Sequence, residues 1–173
     1  MSEAGEARLV REVVGDAARQ AVWARVTTPE GIDHELRPLL SMRMPARHAG
    51  ATIGTVPVGE RLGRAWLRLG GVLPVEYDDL VLVAVDPPAG FHERSSMATA
   101  RVWEHRRRLE ELPDGRTRVV DELRMVPRVP LPAPALGLVR RLVDALFAHR
   151  HRRLQGHFAR GPEHCRGGSR VIP

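Results

Sequence analysis

Lysine is absent from this 173-residue chain, and so is asparagine; all 27 basic residues are arginine. Without lysine there is no phosphate-binding loop of the usual Gly-Lys-Ser/Thr type and no Schiff-base chemistry. No Gly-x-Gly-x-x-Gly and no Gly-x-Ser-x-Gly occurs, and His34-Glu35 lacks the second histidine of a zinc-protease helix. The single cysteine, Cys165, excludes an internal disulfide and any paired Cys-x-x-Cys metal site. A reducing cytoplasm is the expected location. The longest purely apolar run, Leu80 to Val85, is far short of a membrane span, and no charged-then-apolar signal segment opens the chain. Aromatic residues make up only 4%, too few for a base-stacking surface.

The formal charge of +6 is not a basic patch, because 21 acidic residues are interleaved with the arginines except near the C-terminus. The joint absence of lysine and asparagine points to a GC-rich coding bias rather than to selection for basicity. A nucleic-acid partner is therefore not expected. With 43% hydrophobic residues the chain can build a sizeable core, and residues 1–160 are expected to form one domain, with 161–173 a flexible tail.

What is present centres on one hairpin, Arg101 to Val126. Pro113-Asp114-Gly115 supplies its turn, and a three-residue loop sets Leu112 against Arg116. That register puts Glu104 opposite Arg124, Arg106 opposite Glu122 and Glu110 opposite Arg118, three opposite-charge pairs on one face. The other face carries Trp103, His105, Arg107 and Leu109 against Met125, Leu123, Asp121 and Val119. It is apolar apart from His105 and an Arg107–Asp121 pair, which reads either as a buried ion pair with His105 satisfied nearby or as an anchor for a ligand's carbonyl, phenol or carboxylate. Slipping by one residue would destroy both patterns at once.

Upstream, Ala7 to Val14 reads as a strand and Ala17 to Ala24 as a short helix. A second helix starts with Thr28 as cap and Pro29 at its first position and ends near Arg37-Pro38. Leu39 to Met44 is a strand. Pro45 to Gly59 is a long loop, with a short strand at Thr52 to Val56, and reads as either a plain surface loop or a lid. Leu62 to Leu69 alternates as a strand. Asp79 to Val85 is apolar on both faces and reads as a central strand covered on both sides. Phe91 to Met97 is the last strand before the hairpin. Short turns between strands imply an antiparallel sheet. Prolines at 127, 130, 132 and 134 end it. Ala135 to Phe158 then forms a long helix whose stripe includes Leu138, Leu142 and Leu146 together with Val139, Val143 and Phe147. The run His149-Arg150-His151-Arg152-Arg153 reads as a charged helix face; as a metal site it is poor, because residues two apart on a helix diverge.

Strand, two short helices, six or seven antiparallel strands and a long last helix is an α+β layout that resembles the helix-grip fold of the START-like (SRPBCC) superfamily. That superfamily includes polyketide cyclases/dehydrases and lipid-transfer proteins. The resemblance covers Ala7 to Phe158. It is sharpest at Trp103-Glu104-His105, Gly115-Arg116-Thr117, Val119, Asp121 and Phe147-Ala148-His149-Arg150-His151, which is similar to a bacterial subgroup. Phe91 and Glu93 match an aromatic and an acidic position on the preceding strand. The chain differs in lacking Gly-Pro before the tryptophan and in carrying Arg107 where a second histidine is frequent. The resemblance implies a curved sheet gripping the last helix around a cavity for an apolar small molecule, with no cofactor.

The expected ligand-binding set is Phe91, Glu93, Trp103, His105, Arg107, Asp121, Leu123, Met125, Leu142 and Leu146. Two further readings stand beside simple binding of a lipid-, polyketide- or isoprenoid-like molecule. In one, a cyclase or dehydratase uses His105 as base or acid, Asp121 to orient it and Arg107 to steady an enolate oxygen. In the other, the Arg-rich end of the last helix docks on an anionic membrane surface or an acidic partner.

Overall fold

The computed structural model describes residues 5–159; the expected tail lies outside them. The elements in order are β1 (Ala7–Gly15), α1 (Arg19–Val26), α2 (Pro29–Leu36), β2 (Leu40–Arg43), β3 (Arg61–Leu69), β4 (Leu73–Asp86), β5 (Gly90–Met97), β6 (Ala100–Glu111), β7 (Thr117–Pro127) and α3 (Ala133–Ala159). All strands join one antiparallel seven-stranded sheet in the order β1-β7-β6-β5-β4-β3-β2. Register shifts interrupt the β3–β4, β4–β5 and β6–β7 pairings. Such bulges bend a strand and increase its twist, which suits the curl of this sheet into a half-barrel. α3 packs against β1 and α2.

The β6–β7 hairpin has the register expected from its charges, with Trp103 opposite Met125, His105 opposite Leu123 and Arg107 opposite Asp121. The ladder on the convex face is real but not uniform. Glu104 meets Arg124 at 3.4 Å and Glu110 meets Arg118 at 3.6 Å, whereas Glu122 reaches diagonally to Arg108 at 2.8 Å instead of to Arg106. Diagonal neighbours on one face lie within reach of a guanidinium, and an exposed arginine chooses freely between them.

Three expectations fail. Val83 in β4 is 44% exposed, so this strand is covered on one face only. Its apolar convex side marks a strand facing solvent, not a buried centre. Thr52 to Val56 forms turns instead of a strand; the hydrogen bonds from the Thr55 and Val56 amides return to the Thr52 carbonyl. Leu138 and Leu142 are exposed. Each i+4 step along a helix drifts by about 40°, so a row beginning at Leu138 reaches the inward face only at Leu146.

The concave side is divided. At one end Leu109 and Val119 belong to the same apolar cluster as Leu154 of α3 and Val22, Trp23 and Val26 of α1. At the other, Trp103 and Met125 face Val139, Val143 and Leu146 across a void.

α2 is held by local chemistry. The Thr28 hydroxyl accepts the Gly31 amide at 3.0 Å and donates to the Arg25 carbonyl at 3.1 Å. The close approach of α1 and α2 requires a glycine, since a Cβ on Gly31 would lie 1.7 Å from the Arg25 carbonyl oxygen. Gly31→Ala is expected to displace α2 and destabilise the protein by about 1–3 kcal/mol, as overpacking does. A urea titration checks this; an unchanged midpoint would refute the close contact.

Candidate functional site

The void between sheet, α2 and α3 is a cavity of about 290 Å³. Its wall is mainly aliphatic and aromatic, with Ala51, Ile53 and Val56 of the 45–60 loop contributing one side. The charged or titratable side chains on the wall are Glu76, Asp78, Glu93, His105 and Arg150. Directly behind His105 lies a sealed polar cluster drawn from four elements.

Arg107 of β6 is its centre, with a side chain fully shielded from solvent. Its guanidinium is clamped twice. Nε and Nη2 donate to Asp121 Oδ1 and Oδ2 at 2.7 and 2.8 Å, and Nη1 and Nη2 donate to Glu35 Oε1 and Oε2 at 2.9 and 3.1 Å. Arg150 Nε of α3 donates to Glu35 Oε2 at 3.0 Å. His105 Nε2 bonds Asp121 Oδ1 at 2.8 Å, and His151 Nε2 of α3 bonds Asp121 Oδ2 at 2.7 Å. Asp121 thus accepts four hydrogen bonds, the capacity of a carboxylate. The charges of Glu35, Asp121, Arg107 and Arg150 sum to zero.

Burial works against ionisation of Asp121, yet the charge and hydrogen bonds of Arg107, helped by His105, hold it well below the ordinary carboxylate range. Burial likewise opposes ionisation of Glu35, and Arg107 and Arg150 override it. For Arg107 desolvation is outweighed by the two carboxylates, so its pKa is raised. Because an ionised Asp121 only accepts, both histidine Nε2 atoms carry a proton. In a neutral His105 ring the acceptor is then Nδ1. The imidazole sits edge-on between Phe91 and Phe147, with ring centroids 5.4 and 5.2 Å away. His105 and His151 both turn their Nε2 atoms to Asp121, which also takes the Arg107 guanidinium. Among the described residues no group of three His, Cys, Asp or Glu is arranged for a metal.

A second polar group lies on the same wall. Glu93 is the cross-strand neighbour of His105 and accepts the Ser95 hydroxyl at 3.0 Å. Asp78 of β4 is buried beside it. Burial, then the charge of Glu93, push the Asp78 carboxyl well above its ordinary value.

Of the residues expected from sequence, Phe91, Glu93, Trp103, His105, Met125 and Leu146 line the cavity. Arg107 and Asp121 are sealed behind it, and Leu123 is buried outside its lining. Leu142 points to solvent. The expected role of Arg107 in steadying an enolate is not available to it, since its donors are spent on Glu35 and Asp121. The charged face read into His149–Arg153 is also corrected. Arg150 and His151 turn inward, His149 Nε2 meets the Arg37 carbonyl at 2.9 Å, and only Arg152 is fully exposed.

Sequence reasoning missed Glu35, Arg150, His151 and Asp78. A signal existed for His151: it stands four residues after Phe147 and three before Leu154, on the apolar stripe itself. Glu35 likewise follows Gly31, another buried position of α2, by one helical turn.

This architecture is a START-like helix-grip fold. A START superfamily protein from Mycobacterium smegmatis superposes with a TM-score of 0.63 at 13% identity, over 88% of this chain and 97% of that one. Ara h 8.0201 gives a TM-score of 0.58 at 12% identity, over 90% and 99% of the two chains. DynU16, from the dynemicin biosynthetic locus, gives 0.55 at 14% identity, over 87% of this chain and 48% of that one. No curated protein matches the sequence. The chain belongs to the family described as Domain of unknown function (DUF8410), whose model matches residues 13–158.

Proposed function

We propose that this protein binds a small hydrophobic molecule in the cavity between the sheet and α3, with His105 as a polar contact. The observation that carries this reading is the void itself. A core residue set of ordinary size would have closed it, since interiors pack to crystal-like density. Instead the polar cluster ties α2, β6, β7 and α3 together behind His105, and the space in front of it is open. Its volume lies near the lower end of small-molecule sites, which run from about 300 to 1,000 Å³.

Native mass spectrometry of freshly purified protein is expected to show a retained small molecule. Val143→Trp, which fills the cavity from α3, is expected to abolish both retention and uptake of an apolar fluorescent probe. Uptake unchanged in that variant would overturn the proposal.

A second reading, that of a cyclase or dehydratase, is favoured by one detail. Asp121 holds His105 with its proton on Nε2, the orientation in which the opposite nitrogen of a neutral ring can take a proton from a substrate. DynU16 comes from a biosynthetic locus, and its likeness to this chain is of fold. If catalysis occurs, His105→Ala should abolish turnover of the recovered molecule while its binding persists; equal loss of both counts against catalysis. Docking through the end of α3 loses its basis with the inward turn of Arg150 and His151. Among the described residues no helix is long and apolar enough to cross a membrane.

A further inference from the structure

The charge on the cavity wall is unbalanced. Of its five titratable side chains, Arg150 is committed to Glu35, and His105 to Asp121. Glu76 is spent on the β5–β6 turn, accepting the Ala98 amide at 2.7 Å and the Thr99 hydroxyl at 2.5 Å. Asp78 and Glu93 remain. They are 4% and 8% exposed, and among the described residues neither has an arginine partner. Asp78 Oδ1 is buried with no hydrogen-bond partner, and Glu93 takes a single bond, from Ser95. Arg64, opposite Asp79 in the pairing, lies over the Tyr77 ring at 4.4 Å, and Arg61 bonds Asp79 at 2.5 Å; successive residues of a strand point to opposite faces, so both serve the side away from Asp78. The sealed cluster behind His105 shows the contrast, because there each carboxylate has its guanidinium.

Two adjacent buried carboxyls without a cation repel each other when both are ionised, and burial with the Glu93 charge holds the Asp78 carboxyl well above its ordinary value. A wall with these two groups and no free cation complements a positive charge. We propose that Asp78 and Glu93 anchor an ammonium group, so that the molecule held in the cavity is a hydrophobic amine. This rests on the cavity being a ligand site. On binding, the protonated amine takes the place of the proton on Asp78, which leaves to solvent. The ammonium donates to the Asp78 and Glu93 carboxylates, and the apolar remainder lies against Phe91, Trp103 and Met125.

Calorimetric titration at pH 7 with n-octylamine and with 1-octanol tests this. The amine is protonated at that pH, and the two probes share one tail. Wild type is expected to bind octylamine at least tenfold tighter than octanol, with heats that vary with the buffer because a proton is released. In Asp78→Asn and in Glu93→Gln, checked for folding by thermal melts, the preference for octylamine over octanol should fall below twofold. Equal affinities in wild type, or a preference that survives both substitutions, would overturn the ammonium anchor alone. Failure of both probes to bind wild type would remove the ligand cavity and the anchor together.

Discussion

Arg107→Met should lower the melting temperature far more than any surface substitution. The methionine fills similar space but leaves Glu35 and Asp121 facing each other without the cation between them. Removing one partner of a buried pair costs about 3–5 kcal/mol. For a domain of this size that corresponds to a fall of about 6–20 °C. Arg118→Ala is the control. Its pair with Glu110 lies at the surface, with side chains 43% and 44% exposed, and such pairs contribute about 1 kcal/mol or less. Combining Arg107→Met with Asp121→Asn should recover part of the loss, since one cation and one carboxylate go together and Glu35 keeps its bond from Arg150. If Arg107→Met melts like wild type, the cluster does not hold the fold together.

Acid should have the next largest effect. Glu35 and Asp121 have folded-state pKa values below those of the unfolded chain. The unfolded chain therefore binds more protons in that window, and stability rises with pH there. Their contribution is complete above the ordinary carboxylate range near pH ~4 and is lost as pH falls through the depressed values. Each contributes a slope of up to about 1.4 kcal/mol per pH unit. Asp78 has the opposite sign. Its folded value is raised, so its contribution is full at low pH and is lost as pH rises through that value. Melting temperatures measured from pH 3 to 8 should fall steeply at the acid end. The difference between Asp78→Asn and wild type should grow in the variant's favour above pH ~4. A flat acid limb would contradict the depressed carboxylates, and a difference independent of pH would contradict the raised one.

The hairpin was legible because two independent patterns had to agree. Pro113-Asp114-Gly115 defines the loop, and Glu104, Glu110, Arg118 and Arg124 select one register. Thr28-Pro29 marked α2 for a similar reason: capping is local, and its donor and acceptor lie within one turn. The cluster was half legible. Arg107 and Asp121 face each other across a hairpin, so their meeting follows from register. Glu35 meets Arg107 across 72 residues and Arg150 across 115. No window of sequence contains either pair. A glutamate on a short helix and an arginine in a basic run both look solvated until the fold folds them inward. Val83 and Leu142 misled for the converse reason: an apolar residue at the surface carries no mark of its exposure.

The hidden cluster has a consequence for how the molecule responds to its medium. Its four full charges cancel, and water barely reaches them, so dissolved ions find almost nothing there to shield. The exposed rungs on the convex face, Glu110 with Arg118 and Glu122 with Arg108, stand in solvent and are open to that shielding. Concentrated salt thus loosens the outer ladder of this sheet while leaving its inner bolt as tight as in dilute buffer.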